Sequence, residues 1–338
     1  MPHIIVADPI HPDGLARLAE APGVTFEHPG NAPAGTLAER LRHADGLIVR
    51  GTPVDEALLK GAERLRVVCR HGVGYDLCDV PALSKRGIAM MITPEANAAS
   101  VAEHALMLML TLARRVVPLS EGVRRGEWRV KGQSSTFELG GRSVLVIGFG
   151  RIGTRVARLC TAFNMHVMVH DPFIPAGTIR GAGYEAVDKR DEGLARADIV
   201  TVHIPANDKT RGSIDSAFLA RMKQGAVLIN TARGTLVDEA ALEAALRSGP
   251  LAAAGVDVLK VEPMVKPPPM VALDNLIVTP HVAASTAEGL RRMALDAAGN
   301  VVDYLAGTPD RDAIVNGEIL QEAERSSATW PNARSTGV

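Results

Sequence analysis

Aromatic residues are scarce, only 3% of the 338 positions, so the core has to be built from Val, Leu, Ile, Ala and Met. Cysteine is scarcer still. Cys69, Cys78 and Cys160 form no Cys-x-x-Cys pair and leave an odd count, which argues against a disulfide framework or a cysteine-built zinc site and suits a reducing compartment, the cytoplasm. Neither charge sign is in excess: 37 Lys and Arg stand against 38 Asp and Glu, for a formal charge of −1. A protein that tracks nucleic-acid phosphates normally shows a basic excess, so no nucleic-acid partner is expected. Long apolar runs are missing too. Ala105–Leu110 falls far below the roughly 18 residues a membrane span requires. The short run Ile4–Ala7 before Asp8 reads as a first strand rather than a signal peptide. The expectation is a cytoplasmic protein with no membrane and no resident metal.

What is present is a pattern of short apolar runs, each followed by a helix-like stretch. Strands are expected at 4–7, 24–27, 46–49, 67–70 and 88–91, then at 143–147, 166–170, 198–204, 226–229 and 252–258. Between the early ones, 12–21, 36–41, 55–59 and 81–85 have helical character, several opening with Asp, Thr or Pro. Strands alternating with helices imply parallel sheets covered on both faces. Two such runs in 338 residues imply two α/β domains, on a prior of roughly 150 residues each. The join lies near Ser100, where Val101–Arg114 is apolar nearly all round. Such a helix is expected to be buried on every side, either as an interdomain core helix or as a face shared with a second subunit, with Trp128 helping. Residues 321–338 are polar, Ser-rich and aperiodic, as in a loose tail.

Gly148-Phe149-Gly150-Arg151-Ile152-Gly153 reads Gly-x-Gly-x-x-Gly. The bare pattern is weak, but here it follows the strand SVLVI, opens a helix expected over Thr154–Phe163, and precedes a second strand, HVMVH, that ends in Asp171. That context makes it a dinucleotide-binding fingerprint. Gly148 makes the tight turn, Gly150 lets the backbone approach the pyrophosphate, and Gly153 lets helix and strand pack closely. The pyrophosphate then rests on free N–H groups at the helix start. Asp171, 21 residues after Gly150, can accept both ribose hydroxyls and would repel a 2′-phosphate. Pro172 and Phe173 offer no compensating cation, so NAD is favoured over NADP.

Hydride transfer to a carbonyl needs a cation for a carboxylate, an acid for the carbonyl oxygen, and a group that tunes the acid. In open α/β folds these lie after the carboxyl ends of strands. Arg233 follows AVLIN, where a planar guanidinium can grip a carboxylate bidentately. Glu262 follows AAAGVDVL, and His281 follows NLIVTP. Histidine suits proton exchange near neutrality, and a neighbouring carboxylate stabilises the imidazolium. Spacing alone leaves these three equally readable as a surface carboxylate, a salt-bridging arginine and one histidine among 10.

The ordered set GFGRIG, NTARG, VEP and HVAAST, with Arg70-His71-Gly72-Val73-Gly74-Tyr75-Asp76 and Asn97-Ala98-Ala99-Ser100-Val101-Ala102-Glu103, closely resembles the D-2-hydroxyacid dehydrogenase family over about residues 40–316. Within that family the chain is similar to short phosphoglycerate dehydrogenase-like members. The resemblance implies a central Rossmann NAD domain (101–282) and a smaller flavodoxin-like substrate domain built from both chain ends (1–100 and 283–320). It implies that Arg233 holds the substrate carboxylate, helped by the backbone N–H groups of Val73 and Gly74, and that His281 exchanges the proton while paired with Glu262. Loops carrying Ile204, Pro205, Thr231, Ala232 and Asp257 would meet the cofactor. Arg50 and Arg70 would meet a substrate phosphate, unless they are ordinary exposed arginines. A homodimer through the NAD domain is expected. The implied reaction interconverts a small 2-keto acid and its D-2-hydroxy acid, possible substrates being 3-phosphoglycerate, hydroxypyruvate or glyoxylate. An NAD(H)-sensing, corepressor-like binding protein is the alternative. Formate is disfavoured because Glu262 stands where formate dehydrogenases resembling this family carry Gln. Glu95 stands where many relatives have Gly, a difference nothing in the sequence explains.

Overall fold

A computed structural model of the chain describes residues 1–30, 34–129 and 135–320; the tail expected over 321–338 lies outside the described residues. The chain divides into two compact units, Met1–Asn97 with the chain from Ala287 onward, and Ala98–Thr286.

The first unit holds β1 (His3–Val6), β2 (Thr25–Glu27), β3 (Gly46–Val49), β4 (Val67–Arg70) and β5 (Ala89–Met91). They form one sheet in the order β2-β1-β3-β4-β5, every pair parallel, which is the flavodoxin-like order. Parallel strands are covered on both faces, so they read as unbroken apolar runs. Ile4–Val6, Leu47–Val49 and Val67–Cys69 are accordingly buried throughout. Leu37, Leu41, Leu59 and Leu83 pack on one face, and Leu18, Ala297 and Val301 on the other. The late helix Ala287–Leu305 therefore completes this unit, lying against Pro12–Glu20 with an Arg291–Asp13 ion pair between them. Past it, Ile314 bridges antiparallel to Met91 at the sheet edge. Buried Asn316 locks that return: its Nδ2 donates to Ser84 Oγ and the Ile88 carbonyl, and its Oδ1 accepts from Met90 N–H. The helix expected at 55–59 is instead a run of turns. Asp55 Oδ1 accepts from Leu58 N–H as a helix cap would, but the chain leaves after one turn and reaches Gly61 at φ 87°.

The second unit holds β6 (Ser143–Ile147), β7 (His166–His170), β8 (Glu185–Ala186), β9 (Ile199–Val202), β10 (Ala226–Asn230), β11 (Leu251–Val256) and β12 (Leu276–Val278). Its sheet runs β12-β11-β10-β9-β6-β7-β8, all parallel, the doubly wound Rossmann order with a seventh strand. Helices Ala98–Ala113 and Arg151–Ala162 supply one buried layer, through Leu108, Met109, Val156 and Cys160. Leu194, Phe218 and Leu242 supply the other. Two expectations need correcting. The helix at the join is not buried all round, since Glu103 and Met107 leave an open stripe, with Met107 39% exposed. The helix after the glycines begins at Arg151 rather than Thr154, so Gly153 lies inside it.

Candidate active site

β6 ends at Ile147 and turns through Gly148 at φ 94°. A Cβ on Gly148 would lie 2.6 Å from the His203 carbonyl oxygen, and one on Gly153 only 1.9 Å from that of Gly148. Both positions exclude any other residue. Gly150 meets nothing within 4 Å of a would-be Cβ and caps helix Arg151–Ala162 without a side chain. Open space thus lies directly at free helix N–H groups, the arrangement that suits a pyrophosphate. Arg151 is exposed, whereas Ile152 packs against the core layer.

Asp171 stands at the carboxyl end of β7. Its Oδ2 accepts from Phe149 N–H at 2.8 Å and its Oδ1 from Phe173 N–H at 2.9 Å, so one carboxylate holds the glycine loop and its own turn. Beside it is a cavity of about 330 Å³ walled by Pro172, Ile174, Ile179 and Val187, with Asp188 as a second carboxylate. Apolar walls beside carboxylates fit an adenosine. Asp188 was not foreseen from sequence, because the two-residue β8 before it has no apolar run to mark it. Ile204 and Pro205 follow β9, and Ile204 lies against Gly148. Thr231 follows β10, and its buried hydroxyl has no hydrogen-bond partner among the described residues, as suits a donor that meets a bound cofactor. Ala232 N–H is held by Asn230 Oδ1 at 3.0 Å. These residues fit a dinucleotide. Among the described residues no cluster of three metal-ligating side chains occurs.

At the other side of the same sheet, three expected side chains come together. His281 Nδ1 lies 2.6 Å from Glu262 Oε2, and Glu262 Oε1 accepts from Leu259 N–H at 2.7 Å. Burial pushes the Glu262 carboxyl up, but the His281 hydrogen bond, the Leu259 amide and the positive charges of His281 and Arg233 outweigh it and hold the group below the usual range. Glu262 is therefore an ionised acceptor, and Arg233 is near enough to act on it. Arg233 follows β10, its carbonyl held by Asn230 Nδ2 at 2.9 Å and its Nη1 donating to the Ala232 carbonyl.

His281 has φ 53°, left-handed backbone that a branched or ring side chain adopts only under constraint. Asp257 supplies the constraint. Its carbonyl accepts from His281 N–H at 2.8 Å, its Oδ1 from Val282 N–H at 2.9 Å and its Oδ2 from Ala283 N–H at 2.8 Å. The resemblance had marked Asp257 as a cofactor contact; the structure also makes it a clamp on three consecutive amides.

On the first unit, Arg50 and Arg70 stand at the carboxyl ends of β3 and β4. The amides of Arg50, Gly51 and Thr52 all donate to buried Asp8 Oδ2, at 2.6, 2.9 and 3.1 Å, so that loop is fixed by one carboxylate. Burial pushes the Asp8 carboxyl up, and those amides with the Thr52 hydroxyl bring it below the usual range. His71 is buried between the arginines. Burial first, then the charges of Arg50 and Arg70, lower its pKa to about 4, so it is neutral. The N–H groups of Val73 and Gly74 meet no acceptor among the described residues.

Residues 106–283 match the family model "D-isomer specific 2-hydroxyacid dehydrogenase, NAD binding domain". The chain is 41% identical over 332 residues to a D-3-phosphoglycerate dehydrogenase of Methanocaldococcus jannaschii, covering 95% of this chain and 61% of that one. It is 33% identical to a glyoxylate reductase of Korarchaeum cryptofilum, covering 95% and 97%. A solved glyoxylate reductase from Paecilomyes thermophila superposes with a TM-score of 0.84 at 28% identity, covering 94% and 99%. The chain spans about three fifths of the length of the phosphoglycerate dehydrogenases it matches. A family model over more than half the chain and a full-length relative together place it: the chain belongs to the D-isomer-specific 2-hydroxyacid dehydrogenase family and carries that family's NAD-binding domain.

Proposed function

We propose that the chain is an NAD-dependent dehydrogenase that interconverts a small 2-keto acid and its D-2-hydroxy acid. The 2.6 Å bond between Glu262 and His281, with Arg233 acting on the same carboxylate, carries this reading. When bound, NADH supplies the hydride. Arg233 binds the substrate carboxylate as a planar fork. Glu262 holds the imidazole through Nδ1, which leaves Nε2 to deliver a proton to the carbonyl oxygen in reduction and to take it back in oxidation. Gly148, Gly150 and Gly153 cradle the pyrophosphate. Asp171 and Asp188 favour the 2′-hydroxyl of NAD over a 2′-phosphate.

In this reading Ala98–Thr286 is the cofactor unit and the other is the substrate unit. Amides at Val73 and Gly74 that meet no acceptor among the described residues, with the cations Arg50 and Arg70, suit an anion there, which supports a phosphorylated keto acid; the Korarchaeum relative supports glyoxylate. Met107, Val116, Val117, Val123 and the 72%-exposed Trp128 leave an apolar surface on the cofactor unit, which we assign to a homodimer. No described helix is long and apolar enough to cross a membrane. Three buried free thiols, with Cys69 and Cys160 pushed up to about 12 and Cys78 to about 11 by burial, suit a reducing cytoplasm.

The test is NADH oxidation with glyoxylate, hydroxypyruvate and phosphohydroxypyruvate, by the wild type and His281→Ala. Turnover of at least one acid that collapses in the variant is expected. NADH binding without turnover of any acid would turn the assignment to an NAD(H)-sensing binding protein.

A further inference from the structure

His104 lies on helix Ala98–Ala113, 175 positions before the residue it touches: its Nε2 is 2.9 Å from Thr279 Oγ1. Thr279 Oγ1 in turn donates to Asp257 Oδ1 at 2.5 Å. The Asp257 side chain is 1% exposed and that of His104 14%. An ionised carboxylate only accepts, so the single Thr279 hydroxyl proton belongs to Asp257. Thr279 Oγ1 is then left as an acceptor, and His104 must carry its proton on Nε2. Burial lowers the His104 pKa against the raising pull of Asp257, in keeping with a neutral ring of that one tautomer.

The chain of donors therefore runs one way, from His104 through Thr279 to Asp257, and ends on the clamp over residues 281–283. Nothing about His104 touches a reacting atom. Its effect reaches the site through Asp257, whose three acceptor bonds keep His281 in left-handed backbone facing Glu262. A carboxylate that lost the Thr279 proton would have an unfilled acceptor in a dry site, and it would turn to find another donor.

We propose that His104 is a positioning residue for the His281 proton donor, acting through the Thr279–Asp257 clamp. The proposal rests on the dehydrogenase reading for its kinetic consequence but not for its structural one. His104→Met keeps length and apolar bulk and removes the donor. Thr279→Val removes the relay. His104→Gln places an amide N–H near the Nε2 position. Both His104→Met and Thr279→Val should lower kcat about 10- to 100-fold, the usual range for a group that orients a primary one. The melting temperature should fall modestly in Thr279→Val, which leaves the buried Asp257 carboxylate one donor short, and His104→Gln should recover most of kcat. Hydrogen exchange at the Val282 and Ala283 amides should quicken in His104→Met and Thr279→Val and stay slow in His104→Gln.

Wild-type kcat in His104→Met, or Gln performing no better than Met, would overturn the proposal by showing that the side chain only fills space. Should the wild type reduce no keto acid, the dehydrogenase reading fails by itself and amide exchange decides. Protection lost in Met and restored in Gln upholds the clamp, and protection unchanged in Met removes it.

Discussion

Replacing Glu262 by Gln preserves shape and removes one negative charge, and the local geometry sets what that costs. The carboxylate accepts two donors at once, His281 Nδ1 at 2.6 Å and Leu259 N–H at 2.7 Å. An amide has one oxygen, so it can accept from only one of them. If the oxygen turns to His281, the amide N–H₂ confronts Leu259 N–H. If it turns to Leu259, the N–H₂ confronts the imidazolium. Either way one donor loses its acceptor, and a bond that survives at His281 no longer has an ionised acceptor. A hydrogen bond to a charged group is worth about 1.5–3 kcal/mol. The side chains of His281 and Glu262 are 51% and 33% exposed, so water recovers part of the loss and about 2 kcal/mol is the better figure. At 1.36 kcal/mol per factor of ten, keto-acid reduction should lose roughly thirtyfold in kcat/KM. The assay is steady-state NADH oxidation with the best acid of the panel, with NADH affinity measured beside it by fluorescence. Affinity should hold, because Glu262 makes no contact with the glycine loop or the Asp171 cavity. Wild-type kcat/KM in Glu262→Gln would show that the pair does not serve proton transfer.

Asp171→Asn should relax NAD over NADP selectivity by roughly tenfold, since removing a carboxylate about 5 Å from a phosphate relieves about 1.5 kcal/mol under water-like screening; Asp188 should leave a residual preference that only the double variant Asp171→Asn/Asp188→Asn removes, and unchanged NADH/NADPH ratios would refute the assignment. Gly153→Ala forces a methyl to within 1.9 Å of the Gly148 carbonyl oxygen, so thermal unfolding should show a loss of about 1–3 kcal/mol or more, together with lost NADH binding; wild-type stability and binding would refute the close packing. Asp8 has its carboxyl held below the usual range in the folded chain, so its contribution is complete above the ordinary aspartate range and is lost as pH falls through it; melting temperature should drop more steeply from about pH 5 downward in wild type than in Asp8→Asn, and parallel curves would refute it. If the proposed homodimer forms, Trp128→Glu should shift its sedimentation toward monomer; a monomeric wild type would remove the homodimer, and a dimer unchanged in the variant would place the subunit contact elsewhere.

How much of this was legible depended on whether a signal was local. β3, β4, β6 and β7 begin and end where the sequence indicated, because each is an apolar run buried on both faces and closed by a Gly or a charged residue. β8 was invisible, since Glu185–Ala186 is two residues long and neither is apolar in the way a strand signals. Asp188 went with it. Asp55 mimics a helix start because the same Asp-to-amide bond serves caps and turns, and here it closes a turn that does not continue as a helix. The helix after the glycines starts three residues before the expected Thr154, and Gly153 sits inside it for want of room beside Gly148. The Glu262–His281 pairing is legible only through the family resemblance, because spacing alone reads equally as a surface carboxylate and one histidine among 10. His104 and Thr279 are not legible, because no spacing rule links positions 175 apart. Only the fold brings them to the same carboxylate.

The order of strands across the second sheet explains why the chain distributes its chemistry as it does. Read from one edge, the sheet runs β8, β7, β6, β9, β10, β11, β12. Asp188 and Asp171 follow β8 and β7, the glycine loop follows β6, Ile204 follows β9, Thr231 and Arg233 follow β10, Asp257 and Glu262 follow β11, and His281 follows β12. A dinucleotide laid along these carboxyl ends, adenosine at β7 and pyrophosphate at the β6 helix, places its reactive end toward β10 and β11 in the proposed reading. The proton donor must then come from the strand beyond, and β12 is the one available. His281 reaches back from that strand by its left-handed turn, held by Asp257 of the neighbouring β11 segment. An extended or helical residue at 281 would carry the imidazole away from Glu262. In the proposed reading the unusual backbone lets the outermost strand serve a reaction centred nearer the middle of the sheet, and the buried Asp257 bonds behind it hold that conformation in place.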